Sequence, residues 1–289
     1  MSASMAFLNT NDAFLKSLSD EVPLFQAIFL RSIIVTLLVG ILAWHQGAFR
    51  TRIGRRDRRL ITFRTLAEVA ATICFLTSLF NMPIANATAI IQSVPLAVTL
   101  GAALVYGESV GWRRYLAIAA GFAGVLIIVR PGAEGFNAWS IWAMVAIVFI
   151  VARDLGTRGV SRETSAALVV FVAGASMTAV SGILTGFGEW VPIDPGQLAR
   201  LAVSAACLVI GYLFGVTTMR VGDIGFVAPF RYTLLIWAIV VGIVMFDEWP
   251  DIWMLIGSTV IVGAGLYTFH RERLRSSERP KSPSRPGGS

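Results

Sequence analysis

YGESVGWRRYLAIAAGFAGVLII, Tyr106 to Ile128, and FDEWPDIWMLIGSTVIVGAGLYTF, Phe246 to Phe269, decide the fold. Each closes an apolar run with an acid, Glu108 or Glu248, and turns within a few residues. Each then opens a new apolar run that carries a tryptophan (Trp112, Trp253) and late glycines. A repeat separated by about half the chain marks an internal duplication. Because the flanking runs approach bilayer-spanning length, the duplication points to a membrane protein built from two halves.

Composition leads to the same class. The 289 residues are 56% hydrophobic and only 14% charged, against roughly 25% charged in soluble domains. With a mean hydropathy of +0.72, the chain has too few polar groups to cover its apolar surface, so lipid must cover it. The net charge of +7 does not point to nucleic acid, because the basic residues sit in short loops between apolar runs rather than on a soluble domain. Cys74 and Cys207 both fall inside apolar runs, where a thiol acts as a small hydrophobe, so neither a disulfide framework nor a metal set is implied.

Runs of about 17 to 25 apolar residues, broken by charge, Gly or Pro, give ten candidate spans. They are 2–18, 23–44, 61–81, 83–105, 112–130, 138–154, 165–186, 198–218, 224–246 and 252–269. The first is abbreviated and lacks the basic flank and cleavage site of a signal peptide. The expected fold is thus an all-α integral membrane protein with ten transmembrane helices as two inverted five-helix repeats. The first repeat would occupy 1–132 and the second 133–270, and 271–289 would form a disordered basic cytoplasmic tail.

Loop charge predicts the orientation. One set of alternating loops holds Arg50, Arg52, Arg55, Arg56, Arg58 and Arg59, then Arg113 and Arg114, then Arg153, Arg158 and Arg162, then Arg220 and the tail. The other set, SDEVP, NMP, RPGAEGFN, FGEWVPIDPGQ and DEWPD, is acidic or neutral apart from Arg130. The positive-inside rule then puts both termini in the cytoplasm and the protein, multi-pass, in the inner (plasma) membrane. An odd number of spans per half makes the repeat inverted, with the substrate site between the halves near the midplane.

Charged groups at bilayer depth cost at least about 2.5 kcal/mol each and need a partner or a wet cavity. Asn9, Asp12 and Lys16 share one face of the first span, where Asp12 and Lys16 can pair with each other. Arg31 lies too deep in the second span for an interface anchor and calls for a carboxylate, with Asp12 or Glu68 available. The third span aligns Arg64, Glu68, Thr72 and Phe75, and the fourth aligns Thr88, Gln92, Pro95 and Thr99. Pro95 predicts a kink in mid-span. The second half offers Arg153 and Asp154, Tyr212, and the cluster Pro229, Phe230, Arg231, Tyr232 and Trp237. There a guanidinium can bind an oxyanion while Tyr232 and Trp237 supply ring faces. Arg231 could equally pair with Asp154 or Asp223. Asn11, beside Asp12, completes the candidate substrate-binding set. Trp139, Trp142, Trp190, Trp249 and Trp253 fall at span ends, as in an interfacial belt. Asp12 and Glu68 are the carboxylates available for proton coupling. No H-E-x-x-H, G-x-S-x-G or G-x-x-x-x-G-K-[ST] pattern occurs, so neither an enzyme nor an ATP-driven pump is indicated, and no cofactor is expected. Glycine faces at Gly121 with Gly124 and at Gly257 with Gly263 and Gly265 permit close helix packing, within the chain or in a homodimer.

The ND-x(3)-K run at Asn11 to Lys16, FLRS at Phe29 to Ser32, IANATAIIQSVPL at Ile84 to Leu96, APFRYTLLIWA at Ala228 to Ala238 and the two span-ending acids together resemble the drug/metabolite transporter superfamily, EamA type. The resemblance runs over roughly residues 1–270. It implies ten helices, two EamA repeats and alternating access without ATP hydrolysis, with a small-molecule substrate. Members similar in these segments carry riboflavin or S-adenosylmethionine, and others export amino acids or their metabolites. Uptake of riboflavin or a cofactor-sized metabolite ranks first in this reading, and amino-acid or metabolite efflux second.

Overall fold

A computed structural model describes residues 1–50, 53–107, 111–132, 136–161, 164–221 and 227–278. Eleven α-helices and no strand occur among them: α1 Ser2–Lys16, α2 Leu24–His45, α3 Arg55–Asn81, α4 Ile84–Ile91, α5 Val94–Tyr106, α6 Trp112–Val129, α7 Ser140–Arg158, α8 Ala166–Thr185, α9 Pro195–Val221, α10 Thr233–Phe246 and α11 Ile252–Glu278. A 3-10 turn, Ala228–Tyr232, leads into α10.

Nine stretches among the described residues are long and apolar enough to cross a bilayer, with α4 and α5 forming one of them, Ile84–Tyr106. The protein is an all-α integral membrane protein. The first helix is the exception, since its 15 residues rise about 22 Å against a hydrocarbon core of about 30 Å. Two boundaries differ from the sequence reading. Helix α3 begins at Arg55 rather than 61, because Arg55–Arg59 continue the helix beyond the apolar stretch. Helix α11 runs to Glu278, so Arg271–Glu278, expected in the disordered tail, are helical.

The fourth span is broken rather than kinked. Helix α4 stops at Ile91, Gln92 and Ser93 leave the α-helical register, and α5 restarts with Pro95 in its first turn. A proline is favoured there because its missing N–H is already without an intrahelical acceptor. The ninth span shows the same device: Pro229 lies in the first turn of the 3-10 segment that precedes α10.

Helix α3 packs on α7, α1 on α9, α2 on α8, and α6 on α11, while α1 also meets α10 and α4 meets both α7 and α10. The α6–α11 contact depends on two glycines. A Cβ on Gly257 would lie 2.6 Å from the Gly124 carbonyl, and one on Gly124 would lie 2.8 Å from the Gly257 carbonyl. Gly121 gives way to Leu96 and Gly265 to the Tyr232 ring, whereas Gly263 has open space around it. The five belt tryptophans are all exposed, and Cys74 and Cys207 are both free and buried.

Candidate substrate pathway

The two broken spans meet at their breaks. The Gln92 amide, just past the end of α4, donates to the Arg231 carbonyl in the 3-10 turn at 3.2 Å. Irregular backbone at membrane depth is tolerated only where protein or water covers it, and paired discontinuous helices are where carriers place substrate sites. The start of α4 is held from the second half as well. Glu248 Oε2 accepts the Ile84 N–H at 2.8 Å, and the carboxylate is favoured by the positive end of the helix dipole. The two-turn helix α4 is therefore fixed at both ends by the segments that flank α10.

Lys16 closes the same end of the bundle. Its ammonium donates to Glu248 Oε1 at 2.6 Å and to the Met82 carbonyl at 2.5 Å, and it lies 5.2 Å from the centre of the Phe246 ring. The expected Asp12–Lys16 pair is replaced by this long-range one, and Lys16 is buried rather than snorkelling. Glu248 can reach inward because Asp247 adopts a left-handed conformation, φ 52°, and the Glu248 N–H returns to the Gly242 carbonyl. Two further ion pairs join distant parts of the chain at this end, Arg130 with Asp251 and Arg200 with Glu21. Glu21 lies in the loop after α1, and the hydrogen bond from Arg200, helped by Gln197, holds its carboxyl below the usual range.

One turn along α1 from Lys16 lies a second polar cluster. Arg31 is buried and donates from Nη1 to Asn11 Oδ1 at 3.2 Å. The same Asn11 oxygen accepts Ser204 Oγ at 2.9 Å, and Asn11 Nδ2 donates to Asp12 Oδ1 at 2.8 Å. Asn11 thus bridges Arg31 to Asp12, one of the two partners expected for it. Asn11, Arg31 and Ser204 are buried, whereas Asp12 keeps part of its surface accessible. Asn9, fully buried one turn earlier, has neither amide atom bonded among the described residues.

Glu68 belongs to a third cluster, toward the other end. Its carboxylate takes Arg153 Nη1 at 3.1 Å and Arg64 Nη2 at 3.4 Å, while Arg153 Nε donates to Asp154 at 2.8 Å. Arg64 also donates to Thr157 at 3.0 Å. Glu68 is thus removed from Arg31, and Asp154 is engaged by Arg153 instead of Arg231. Asp223 and Glu108 lie outside the described residues.

The remaining candidates separate. Thr72 is half-buried on α3 and Thr88 is buried in α4. Tyr232 does not offer a ring face: it is buried against Gly265 and lies edge-on to Phe269 at 6.4 Å. Trp237 aligns with Val240 and Val244 in an exposed apolar stripe of α10. Tyr212 and Arg231 have exposed side chains, and it is the Arg231 backbone that meets Gln92. Glu248 and Ser204 were missed. The acid was visible only as the end of an apolar run, and a lone serine in an apolar run gives no signal until its neighbour is known.

Buried opposite charges between packed helices and two broken spans that meet mark a polytopic membrane protein with a polar interior. Residues 1–130 match the EamA-like transporter family. The S-adenosylmethionine uptake transporter of Rickettsia felis is 23% identical over 282 residues, covering 96% of this chain and 94% of its own. The riboflavin transporter of Rhizobium johnstonii is 25% identical over 220 residues, 75% of this chain and 72% of its own. The pseudopaline exporter CntI of Pseudomonas aeruginosa is 25% identical over 267 residues, 91% of each. A solved crystal structure shares the fold at a TM-score of 0.62 and 18% identity, covering 94% of this chain and 96% of its own. Residues 1–130 thus carry an EamA-like domain, and the relatives similar over most of the chain are named as transporters of metabolites.

Proposed function

We propose that the protein is a secondary carrier that takes up S-adenosylmethionine, or a metabolite with the same amino-acid head, across the plasma membrane with both termini cytoplasmic. The observation that carries the substrate class is the Asn11–Asp12–Arg31 cluster. A guanidinium and a partly accessible carboxylate, bridged by one amide, match the carboxylate and ammonium of an α-amino acid group. Riboflavin has no formal charge and leaves both signs of that cluster unused, so it ranks second here. Uptake fits the name of the Rickettsia relative, while CntI is named an exporter. Export of an amino-acid-derived metabolite through the same cluster is the alternative.

Alternating access by two inverted halves is part of the proposal. Exchanging 1–132 for 133–270 maps the α3–α7 contact onto α9–α1, and the α1–α10 contact onto the packing of α7 with α4 and α5. The α2–α8 and α6–α11 contacts map onto themselves. That pattern is what a two-fold axis in the membrane plane produces.

Purified protein in liposomes tests the function. Labelled S-adenosylmethionine should enter saturably and show counterflow, with competition by methionine but not by riboflavin. Arg31→Met should weaken apparent affinity about 10- to 150-fold, the value of ~1.5–3 kcal/mol for hydrogen bonds to a charged group. Riboflavin flux with no S-adenosylmethionine flux would overturn the substrate assignment, and non-saturable conductance would overturn the carrier.

A further inference from the structure

The ion pair that closes the Lys16 end has a chemistry of its own. Four groups from separate parts of the chain converge there: the Lys16 ammonium at the end of α1, the Met82 carbonyl after α3, the first N–H of α4, and the Glu248 carboxylate after α10. The side chains of Lys16 and Glu248 are only 8% and 21% exposed. Separating them strands an ammonium and a carboxylate in a poorly hydrated setting, which opposes opening. A neutral solute cannot relieve that. A zwitterion can, because its carboxylate replaces Glu248 at Lys16 and its ammonium replaces Lys16 at Glu248, leaving every buried charge neutralised.

We propose that Lys16 and Glu248 form the outer capture site for an α-amino-carboxylate zwitterion, which enters by substituting for the ion pair. This rests on the amino-acid head assigned under the proposed function and on the orientation given by the loop arginines. The surroundings suit the exchange. The Phe246 ring beside Lys16 gives the ammonium a favourable contact that survives loss of the carboxylate. Ile84 N–H keeps one Glu248 oxygen in place while the other changes partner. Asp251, three residues beyond Glu248, is engaged by Arg130. Asp12 follows one turn along α1, about 6 Å away along the axis, so the head can pass from Lys16 and Glu248 to Arg31 and Asp12 with its charges matched throughout.

The test uses the full chain in liposomes and two neutralised analogues as competitors of labelled S-adenosylmethionine: its carboxyl methyl ester and its deaminated acid. The unaltered protein should prefer S-adenosylmethionine over each by at least about tenfold, as a site built to bond a charged group does. Lys16→Met should reduce the preference over the ester alone, Arg31 supplying what remains, and Lys16→Arg should restore it. Glu248→Gln, whose amide oxygen still accepts Ile84 N–H, should reduce the preference over the deaminated acid alone, Asp12 supplying what remains. If the unaltered protein carries S-adenosylmethionine but both variants keep both preferences in full, the capture site is wrong and the transport assignment stands. If the unaltered protein carries no S-adenosylmethionine, the functional reading fails and this site with it. Should Lys16→Met not purify as a monodisperse species, the Glu248→Gln arm decides alone.

Discussion

Gly257→Ala should loosen the seam between α6 and α11, and its size can be worked from the backbone. The added Cβ meets the Gly124 carbonyl at 2.6 Å and Ile128 Cγ1 at 2.5 Å. The isoleucine can rotate away, but a carbonyl in the opposing helix moves only with its helix. Overpacking of that kind costs ~1–3 kcal/mol, and the backbone contact places it in the upper half of the range. Replacing a helical glycine by alanine returns up to about 1 kcal/mol. The net loss is ~1–2 kcal/mol, a factor of about 5–30 in the folded-to-unfolded ratio. Gly263→Ala is the internal control. It lies on the same helix with nothing within 4 Å, so only the propensity gain remains and the sign reverses. Denaturant titration of the purified protein in one detergent would show the Gly257→Ala midpoint below and the Gly263→Ala midpoint at or above the parent. Gly124→Ala, which meets Gly257 carbonyl at 2.8 Å and Ile261 Cγ1 at 2.9 Å, should act like Gly257→Ala. The two should combine less than additively because they share one contact. Equal shifts for Gly257→Ala and Gly263→Ala would refute close backbone approach at this seam.

Gln92→Leu removes the donor to the Arg231 carbonyl and leaves that carbonyl short of a partner, so stability should fall by ~1–3 kcal/mol and flux should fall with it; an unchanged melting temperature and flux would show that the two breaks do not support each other. The Glu21–Arg200 pair predicts a pH dependence of defined sign. Because Glu21 is held below the usual carboxylate range, its contribution is present at neutral pH and is lost as pH falls from the ordinary glutamate range through the lowered folded one. Glu21→Gln should therefore melt below the parent at pH 7, and the two curves should converge in acid; a gap that widens in acid would contradict the pairing.

How much of this was legible in the sequence depends on whether the determinant is local. Span positions follow from apolar run length, and the break in the fourth span follows from Pro95, whose ring cannot continue the preceding turn. Even so, the break fell three residues earlier, at Gln92, because a proline sits comfortably in the first turn of the restarted helix. Periodicity put Asp12 and Lys16 on one face of α1, and that face was right. Periodicity cannot say which helix the face meets, so the partner within reach on the same helix was chosen over Glu248, 232 residues away. The surroundings of Trp237 and Tyr232 were illegible for the complementary reason. An aromatic in a membrane helix is equally at home against lipid, against a glycine of the next helix, or in a pocket, and for Tyr232 only the packing of the 3-10 turn on α11 distinguishes these.

The same reasoning explains why the repeated acid was undervalued. Read along the chain, Glu108 and Glu248 are equivalent corners after equivalent spans. In space Glu248 does two things at once: it neutralises a buried ammonium from α1 and accepts the first amide of α4. A carboxylate with two oxygens can serve both only where a left-handed Asp247 turns the chain back over the helix end. The recurring sequence pattern supplies the acid, but the lysine at the end of a short α1 gives it a charge to hold. An acid at a span end is therefore a corner until a buried cation faces it, and then it ties two distant parts of the chain together.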